Sequence, residues 1–337
     1  MKSNALQITT GIKRCMNHHL VPMVHGSTGS GKSDIVAQIA DEANFKLIDW
    51  RGSSADPTDL NGFPKLNEAK ATYLPFDTFP VKGDKLPSGY NGWLLFLDEL
   101  PNAPMSVLKA AYKLILDRMV GNHPLHEKVY VVAAGNLLTE GAQVNDFPAP
   151  LKTRMIHFEL AIDADLWIKW GSANDVDYRM LSFIGYKPNL LYNPNPASKD
   201  FTFSCPRSIT MAAALTKGRE ITFDDMPILA GTISEGVARE YAGYVKNFAD
   251  LPQIKNILAD PLGTKIPTEP SAKWATGSHV AEYLTPDNAN TLMQYLERLP
   301  LENQTIALRV AIAKNKKLLL NHTIGEWMTK YATRKVG

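Results

Sequence analysis

Residues 26–33 form the octapeptide GSTGSGKS, in which small residues surround a single lysine. The octapeptide matches the pattern G-x-x-x-x-G-K-[ST] at every position. In this pattern the glycines let backbone N–H groups approach phosphate oxygens, the lysine reaches the β- and γ-phosphates, and the final hydroxyl ligates Mg²⁺. The preceding VPMVHG predicts a strand, and the following DIVAQIADEA predicts a helix whose positive N-terminus faces the same anion. The candidate nucleotide-binding residues are Gly26, Ser27, Thr28, Gly29, Ser30, Gly31, Lys32 and Ser33.

Two carboxylates, Asp98 and Glu99, directly follow the apolar run WLLFL. Ligands of parallel sheets lie at the carboxyl ends of the strands, so Asp98 is placed to share a Mg²⁺ ion with Ser33. Glu99 would then orient and deprotonate a water molecule, which is the arrangement required for hydrolysis of a nucleoside triphosphate such as ATP. The alternative interpretation is an acidic pair that interacts favourably with the N-terminus of the next helix.

Three further side chains have positions from which they could act on phosphates. Asn136 ends the run VVAAGN, where its amide would hold the attacking water or the γ-phosphate. Arg154 closes FPAPLKTR, and in a ring of subunits it would face a neighbour's nucleotide as an arginine finger. Arg207, in SCPRSIT, begins a predicted helix and could contact the phosphates as a lid closes. The alternatives are a turn residue for Asn136 and a surface charge for Arg154. For Arg207 the alternative is a cation near a helix start, where the helix dipole makes it unfavourable.

Strands and helices alternate through the first 160 residues, which predicts an α/β fold. The expected architecture is a P-loop core with a five-stranded parallel sheet covered on both faces. An opening amphipathic helix is predicted over 3–19, and another helix ends near Met119. The five predicted strands are 21–26, 45–50, 93–100, 129–134 and 155–160.

The pattern changes after residue 160, where helical periodicity replaces the alternation. We therefore predict two domains: a nucleotide-binding core over 1–160, and a helical lid with a C-terminal helical extension over 161–337. Residues 51–91 are rich in proline and glycine and are expected to form a long loop or insertion. YNPNPASKD and KIPTEPSAKW are expected to be proline-rich joints between helices of the second domain.

Composition and charge exclude several classes of protein. The 337 residues are 45% hydrophobic and 21% charged, as in a globular protein rather than a disordered one. A net charge of +2 gives no overall basic field for nucleic acid or an anionic membrane. Two cysteines are too few for a disulfide framework, and neither a signal peptide nor a membrane span is evident, so we expect a cytoplasmic protein.

At this point the motifs resemble a known family, the MoxR-type AAA+ ATPases. The segments GSTGSGKS, LLFLDEL, VVAAGN, PLKTR and CPRS occur in the family's order, and DPTDLNGFP, LILDRMVG, LWIKW, FIGYKPNLL and AGTISEGVAREY are also similar. The resemblance covers roughly residues 6–270. Thr28 departs from it, since the family usually has proline there, and Met155 follows Arg154 where an aromatic or aliphatic residue is more usual.

The resemblance implies a role for each matching residue. Lys32 and Ser33 match the P-loop lysine and hydroxyl, and Asp98 and Glu99 match the metal-side aspartate and the catalytic glutamate. Asn136 matches the first sensor, Arg154 looks like the arginine finger, and Arg207 looks like the second sensor. Arg118 is a second candidate to reach across an interface.

The resemblance also implies assembly and partners. Members of the family form hexameric rings with nucleotide between subunits, and they remodel a protein target, commonly beside a protein with a von Willebrand factor A domain. Residues 51–75 and 118–130 fit the family's insertion after the second strand and its hairpin before the fourth. The implied ligands are ATP and Mg²⁺.

Other functions remain open from the residues alone. They are a monomeric P-loop kinase of a small metabolite, a nucleic-acid motor or loader, and an ATP-gated scaffold. A water-activating Glu99 argues against the kinase and the scaffold. The basic tail, which includes Lys314, Lys316 and Lys317, lacks the aromatic interleaving of a nucleic-acid site, so nucleic-acid binding is possible but not favoured. His25 is expected to be a packed core side chain rather than a ligand, and His157 is expected to be half buried on a strand, without the partners of a metal site.

Overall fold

The computed structural model of the protein describes residues 1–66, 70–137, 147–195 and 197–332. The chain divides into two compact units, Met1–Ile162 and Asp163–Gly337. The first unit is an α/β domain built on a parallel sheet, and the second is helical in its described part.

The sheet of the first unit is built from six strands: β1 (Lys2–Ser3), β2 (Val21–His25), β3 (Lys46–Arg51), β6 (Trp93–Asp98), β9 (Val129–Gly135) and β10 (Met155–Leu160). Their order across the sheet is β1-β10-β2-β9-β6-β3, and every neighbouring pair is parallel. All five predicted strands are present, but the predicted count of five is wrong. The sixth strand, β1, has two residues, which is too short to show any apolar periodicity.

The helices of this unit are α1 (Ala5–Asn17), α2 (Lys32–Ala43), α3 (Pro57–Asn61), α4 (Met105–Asp117) and α5 (Ala149–Lys152). Two apolar clusters sandwich the sheet. Leu94 and Phe96 of β6 pack in one cluster with residues of α1 and α2, whereas Leu95 and Leu97 pack in the other with residues of α4. Strand β6 is therefore buried on both faces, which explains why its sequence is a continuous apolar run rather than an alternating one.

Residues 51–91 contain more regular structure than the predicted long loop. Helix α3 begins there with a capping box between Asp56 and Asp59, and an antiparallel hairpin of β4 (Phe63–Leu66) and β5 (Ala71–Leu74) follows. All eight hairpin residues are exposed, so no apolar alternation marked them as strands. A second small hairpin pairs β7 (Met119–Val120) with β8 (His123–Pro124), within the segment 118–130.

The second unit is built from ten α-helices in its described part: α6 (Ala164–Ala173), α7 (Tyr178–Tyr186), α8 (Pro206–Thr216), α9 (Met226–Ile233), α10 (Glu235–Val245), α11 (Ile254–Ala259), α12 (Pro270–Tyr283), α13 (Ala289–Leu296), α14 (Leu301–Lys314) and α15 (His322–Ala332). Part of the expected joint KIPTEPSAKW is helical, since Pro270 starts α12. Among the described residues, no helix is both long and apolar enough to cross a membrane.

Candidate active site

The octapeptide connects strand β2 to helix α2 at the carboxyl edge of the sheet. The strand predicted over 21–26 ends at His25, and the helix predicted over 34–43 begins two residues earlier, at Lys32. Gly31, the N-cap of α2, has φ 92°, a left-handed conformation that a residue with a Cβ adopts only with strain. Gly31 provides no side-chain cap, so the backbone N–H groups at the start of α2 stay available to an anion bound in the loop. The positive end of the helix dipole favours such an anion.

The ammonium group of Lys32 lies inside this loop. The residue is only 8% exposed, although it carries a charge. Its Nζ donates hydrogen bonds to the carbonyl oxygens of Gly26 and Ser27, at 2.8 and 2.9 Å, and to Oδ1 of Asn136, at 3.1 Å. A buried charge of this kind needs several acceptors, and phosphate oxygens would meet the same need.

Ser33 and Asp98 face each other across the site. The Ser33 hydroxyl donates to Oδ2 of Asp98 at 3.2 Å. Burial is the largest influence on Asp98 and raises the pKa of its carboxyl, while hydrogen bonds from the Glu99 N–H and the Ser33 hydroxyl oppose that rise. Mg²⁺ takes hard oxygen ligands, often one or two carboxylates beside substrate phosphates, so this pair of oxygens fits the ion.

Glu99 occupies a sharp turn directly after β6. Its φ of 52° is left-handed, and its N–H donates to Oδ1 of Asp98 at 2.9 Å. Its carboxylate accepts a hydrogen bond from the hydroxyl of Ser53, which lies just beyond β3. Gly52 allows this approach, because a Cβ there would lie only 3.0 Å from the Glu99 carbonyl oxygen.

Asn136 lies between the P-loop strand and the acidic strand. Strand β9, which it follows, is placed between β2 and β6, and Gly135 is the register partner of His25. This order explains why the Asn136 amide reaches the Lys32 ammonium. The structure thus brings these residues together in two hydrogen-bonded pairs, Lys32 with Asn136 and Ser33 with Asp98, and Glu99 adjoins Asp98.

The two candidate finger arginines have different surroundings. Arg154 follows α5 and is exposed, and its Nη1 lies 3.5 Å from the Pro150 carbonyl oxygen. Arg118 is half buried, and its Nη2 donates to the carbonyl oxygens of His126 and Val129, at 3.3 and 2.7 Å. Burial lowers the pKa of Arg118. The Arg118 guanidinium is therefore bonded to carbonyl oxygens of its own chain, and contact of either arginine with a neighbouring subunit stays a prediction.

Arg207 belongs to the second unit. It is the second residue of α8, where the sequence analysis placed it at the start of a helix, and its side chain is exposed. Its proposed contact with phosphates stays a prediction.

Ser53 is a site residue that sequence reasoning missed. A single serine after a strand carries no motif of its own, and its segment was assigned to an irregular insertion. The available signal was the sheet itself, since β3 pairs with β6 so that Arg51 is the register partner of Asp98. A residue two positions beyond Arg51 must then lie near the turn that carries Glu99.

Comparisons with known proteins add little to this geometry. No family model matches the chain, and no curated protein matches it. Among solved structures, two mutant forms of RuvB from Thermotoga maritima are similar, at 13% and 14% identity and TM-scores of 0.40 and 0.39. The similarity covers 87% of this chain in both cases, and 86% and 85% of theirs.

A protein from Cytophaga hutchinsonii, described provisionally as an ATPase, is similar at 12% identity and a TM-score of 0.36, over 98% of this chain and 88% of its own. Because all three TM-scores are below 0.5, the function proposed below rests on the residues and geometry of the site.

Proposed function

We propose that the protein is an AAA+ ATPase of MoxR-like type, which binds and hydrolyses ATP and uses the energy to remodel a protein partner. The observation that carries the proposal is the convergence of three segments beside a helix N-terminus. Lys32, in the loop, bonds to Asn136 after β9, and the adjacent Ser33 bonds to Asp98 at the end of β6. A flexible glycine turn with a solvated lysine would not bury its ammonium beside an aspartate-bound hydroxyl. The resemblance of the motifs to the MoxR-type family supports the same assignment.

In the proposed reaction, the loop 26–33 and the start of α2 hold the triphosphate. Lys32 stabilises negative charge on the β- and γ-phosphates, exchanging loop carbonyls for phosphate oxygens. Ser33 and Asp98 would hold Mg²⁺, which supplies a divalent charge that offsets the charge of the phosphates. Glu99 accepts a proton from the attacking water, and Asn136 orients that water or the γ-phosphate.

The proposed assembly is a ring, in which the exposed Arg154 of one subunit completes the site of the next. An arginine supplied in this way is worth about 10³–10⁵ in rate where it has been measured. Arg207 would contact the phosphates from the helical unit, as a second sensor. A head-to-tail interface closes into a ring when the rotation between subunits allows it, and the family pattern suggests a hexamer.

The proposed partners are those that the family pattern implies: a protein target and a protein with a von Willebrand factor A domain.

Light scattering and ATP binding of the Glu99→Gln variant together test the ring and the role of Glu99 as the general base. This variant should bind Mg·ATP without hydrolysing it, and should shift to a species several times the 37.3 kDa of one chain. Lys32→Ala is the matched control, which should bind no ATP and keep its mass. A Glu99→Gln protein that binds ATP and stays monomeric would contradict the ring. One that no longer binds ATP would contradict the role of Glu99 as a base.

A further inference from the structure

Two histidines that the proposed reaction does not use lie next to the P-loop, and they contact each other. His25, the last residue of β2, and His157, on β10, have Nε2 and Nδ1 atoms 2.8 Å apart. On its other side, His157 Nε2 lies 2.8 Å from the carbonyl oxygen of Lys152. The expectation of two independent packing side chains misses this pair, which links two adjacent strands to the end of α5.

The chemistry of the acceptor fixes the direction of these bonds. A carbonyl oxygen can only accept, so His157 Nε2 carries the proton that it shares with Lys152. When the His157 imidazole is neutral, its Nδ1 is an acceptor and takes a hydrogen bond from His25 Nε2–H. Burial, and then the neighbouring His157, lower the pKa of His25 to about 4, so His25 is neutral near pH 7. The other charged groups that act on it are Glu159 and Lys32.

The histidine pair connects the loop 26–33, which holds the nucleotide in the proposed function, to the segment that carries Arg154. At one end, His25 is bonded to Gly26, whose carbonyl oxygen accepts from the Lys32 ammonium. At the other end, Lys152 is the last residue of α5, two positions before Arg154. The turn between them is held by short-range bonds, such as Arg154 N–H to the Leu151 carbonyl oxygen at 3.1 Å.

We propose that His157 is a positioning residue for Arg154. Its hydrogen bond to the Lys152 carbonyl oxygen holds the turn that presents Arg154 to the next subunit. Its contact with His25 holds the same turn beside the strand that leads into the P-loop. This inference rests on the proposed function. It goes beyond that function because it assigns a role to residues outside the nucleotide motifs. Displacing a catalytic group by about 1 Å can cost about 100-fold in rate, so a single anchoring bond at this turn matters.

Two amide substitutions separate the two bonds of His157. In His157→Gln the amide nitrogen takes the place of Nε2 and still donates to Lys152. In His157→Asn the shorter amide takes the place of Nδ1, so it accepts from His25 and loses the bond to Lys152. His157→Asn should lower kcat for Mg·ATP about 10- to 100-fold and leave the Kd of a fluorescent ATP analogue unchanged. His157→Gln should keep kcat close to that of the unsubstituted protein.

Mixed assemblies distinguish positioning from a structural role. A His157→Asn subunit has an intact site but presents a misplaced arginine, whereas a Glu99→Gln subunit has an inactive site but a well-placed arginine. Mixing the two should therefore restore hydrolysis at the His157→Asn sites. Failure of this mixture, with Glu99→Gln shown to assemble, would overturn the proposal.

Amide hydrogen exchange gives a readout that does not depend on turnover. Residues 150–156 should exchange faster in His157→Asn than in His157→Gln, with equal melting temperatures for the two variants. If the unsubstituted protein hydrolyses no ATP, the proposed function fails. The exchange result would still test whether the hydrogen bond from His157 to Lys152 holds this turn. Equal exchange in His157→Asn and the unsubstituted protein would overturn the inference, whatever the ATPase activity.

Discussion

At the scale of single residues, burial sets the ionisation of the groups around the proposed site. The pKa of the Asp98 carboxyl is raised by burial, and the pKa of His25 is lowered to about 4 by the same cause. Both shifts disfavour the charged form of the side chain. Asp98 is charged when deprotonated and His25 is charged when protonated, so the two shifts change stability with pH in opposite directions. A bound cation would favour the ionised form of the Asp98 carboxyl and so oppose the effect of burial.

The first prediction follows from Asp98. Because its pKa is raised, the folded protein binds this proton more tightly than the unfolded chain does, and stability falls as pH rises through the pKa of the folded state. Asp98→Asn should therefore raise the melting temperature of the nucleotide-free protein at pH 7. The same variant should lose the further rise in melting temperature that Mg·ATP gives the unsubstituted protein. Asp41→Asn, an exposed change in α2, is the control. A variant that Mg·ATP still stabilises would remove Asp98 from the metal site.

The second prediction concerns His25, whose shift has the opposite sign. Between the folded value of about 4 and the unfolded value of 6.5, the unfolded chain binds more protons. Stability is therefore lost as pH falls from 6.5 towards 4. His25→Gln removes this titration, so the difference in melting temperature between the unsubstituted protein and the variant should shrink across that interval. A difference that stays constant from pH 7 to pH 4.5 would show that His25 is not buried in its neutral form.

The sequence alone indicated the candidate phosphate-binding loop, because the motif fixes two glycines, a lysine and a hydroxyl residue at set positions within eight residues. The acidic pair is identifiable for a similar reason, since it ends an apolar run. Ser53 and His157 carry no comparable pattern. Each acts on a residue distant in the chain, Ser53 on Glu99 and His157 on His25, and only the pairing of neighbouring strands brings those partners together.

At the scale of elements, strands and helices were predictable from the sequence where their burial imposes a pattern of apolar residues. They were missed where the element is exposed and has no such pattern. The run WLLFL predicted β6 because both of its faces are buried. The hairpin β4/β5 is exposed on both faces and gave no signal. In the helical second domain, α9 ends and α10 begins at Ser234, whose φ is 77°. Proline misled at α12, where Pro270 occupies the first helical turn and is tolerated.

A buried ion pair supplies the element-scale prediction. Arg179 Nη2 bonds to Asp177 at 2.6 Å and also donates to the Thr216 carbonyl oxygen, the last residue of α8. Arg179→Ala would leave Asp177, whose side chain is 2% exposed, as an unpaired buried charge. The free energy of unfolding should fall by about 3–5 kcal/mol, measured by urea denaturation.

The control for this pair is Arg239→Ala, which removes an exposed i,i+4 ion pair with Glu235 on α10. It should cost about 0.5 kcal/mol or less. Equal losses in the two variants would mean that burial of the Arg179 pair contributes nothing specific.

At the scale of the whole molecule, the proposal depends on a group supplied by another subunit. Arg154→Ala should lower turnover by about 10³-fold while ATP affinity is kept, because the arginine acts on the charge that develops during transfer. Mixing this variant with Glu99→Gln should restore activity, since each subunit provides what the other lacks. Arg118→Ala should instead lower stability, because its guanidinium holds backbone carbonyls of its own chain. Rescue of Arg118→Ala by mixing, and not of Arg154→Ala, would reverse the assignment.

The most direct test of the central claim is the specific rate of phosphate release from Mg·ATP, with no acceptor added, measured across a range of protein concentrations. Glu99→Gln serves as the blank at each concentration. We expect release far above the blank, with a specific rate that rises with concentration as Arg154 is supplied by neighbouring subunits. Release no faster than the blank at every concentration would contradict an ATPase, and a measurable rate independent of concentration would contradict a site shared between subunits.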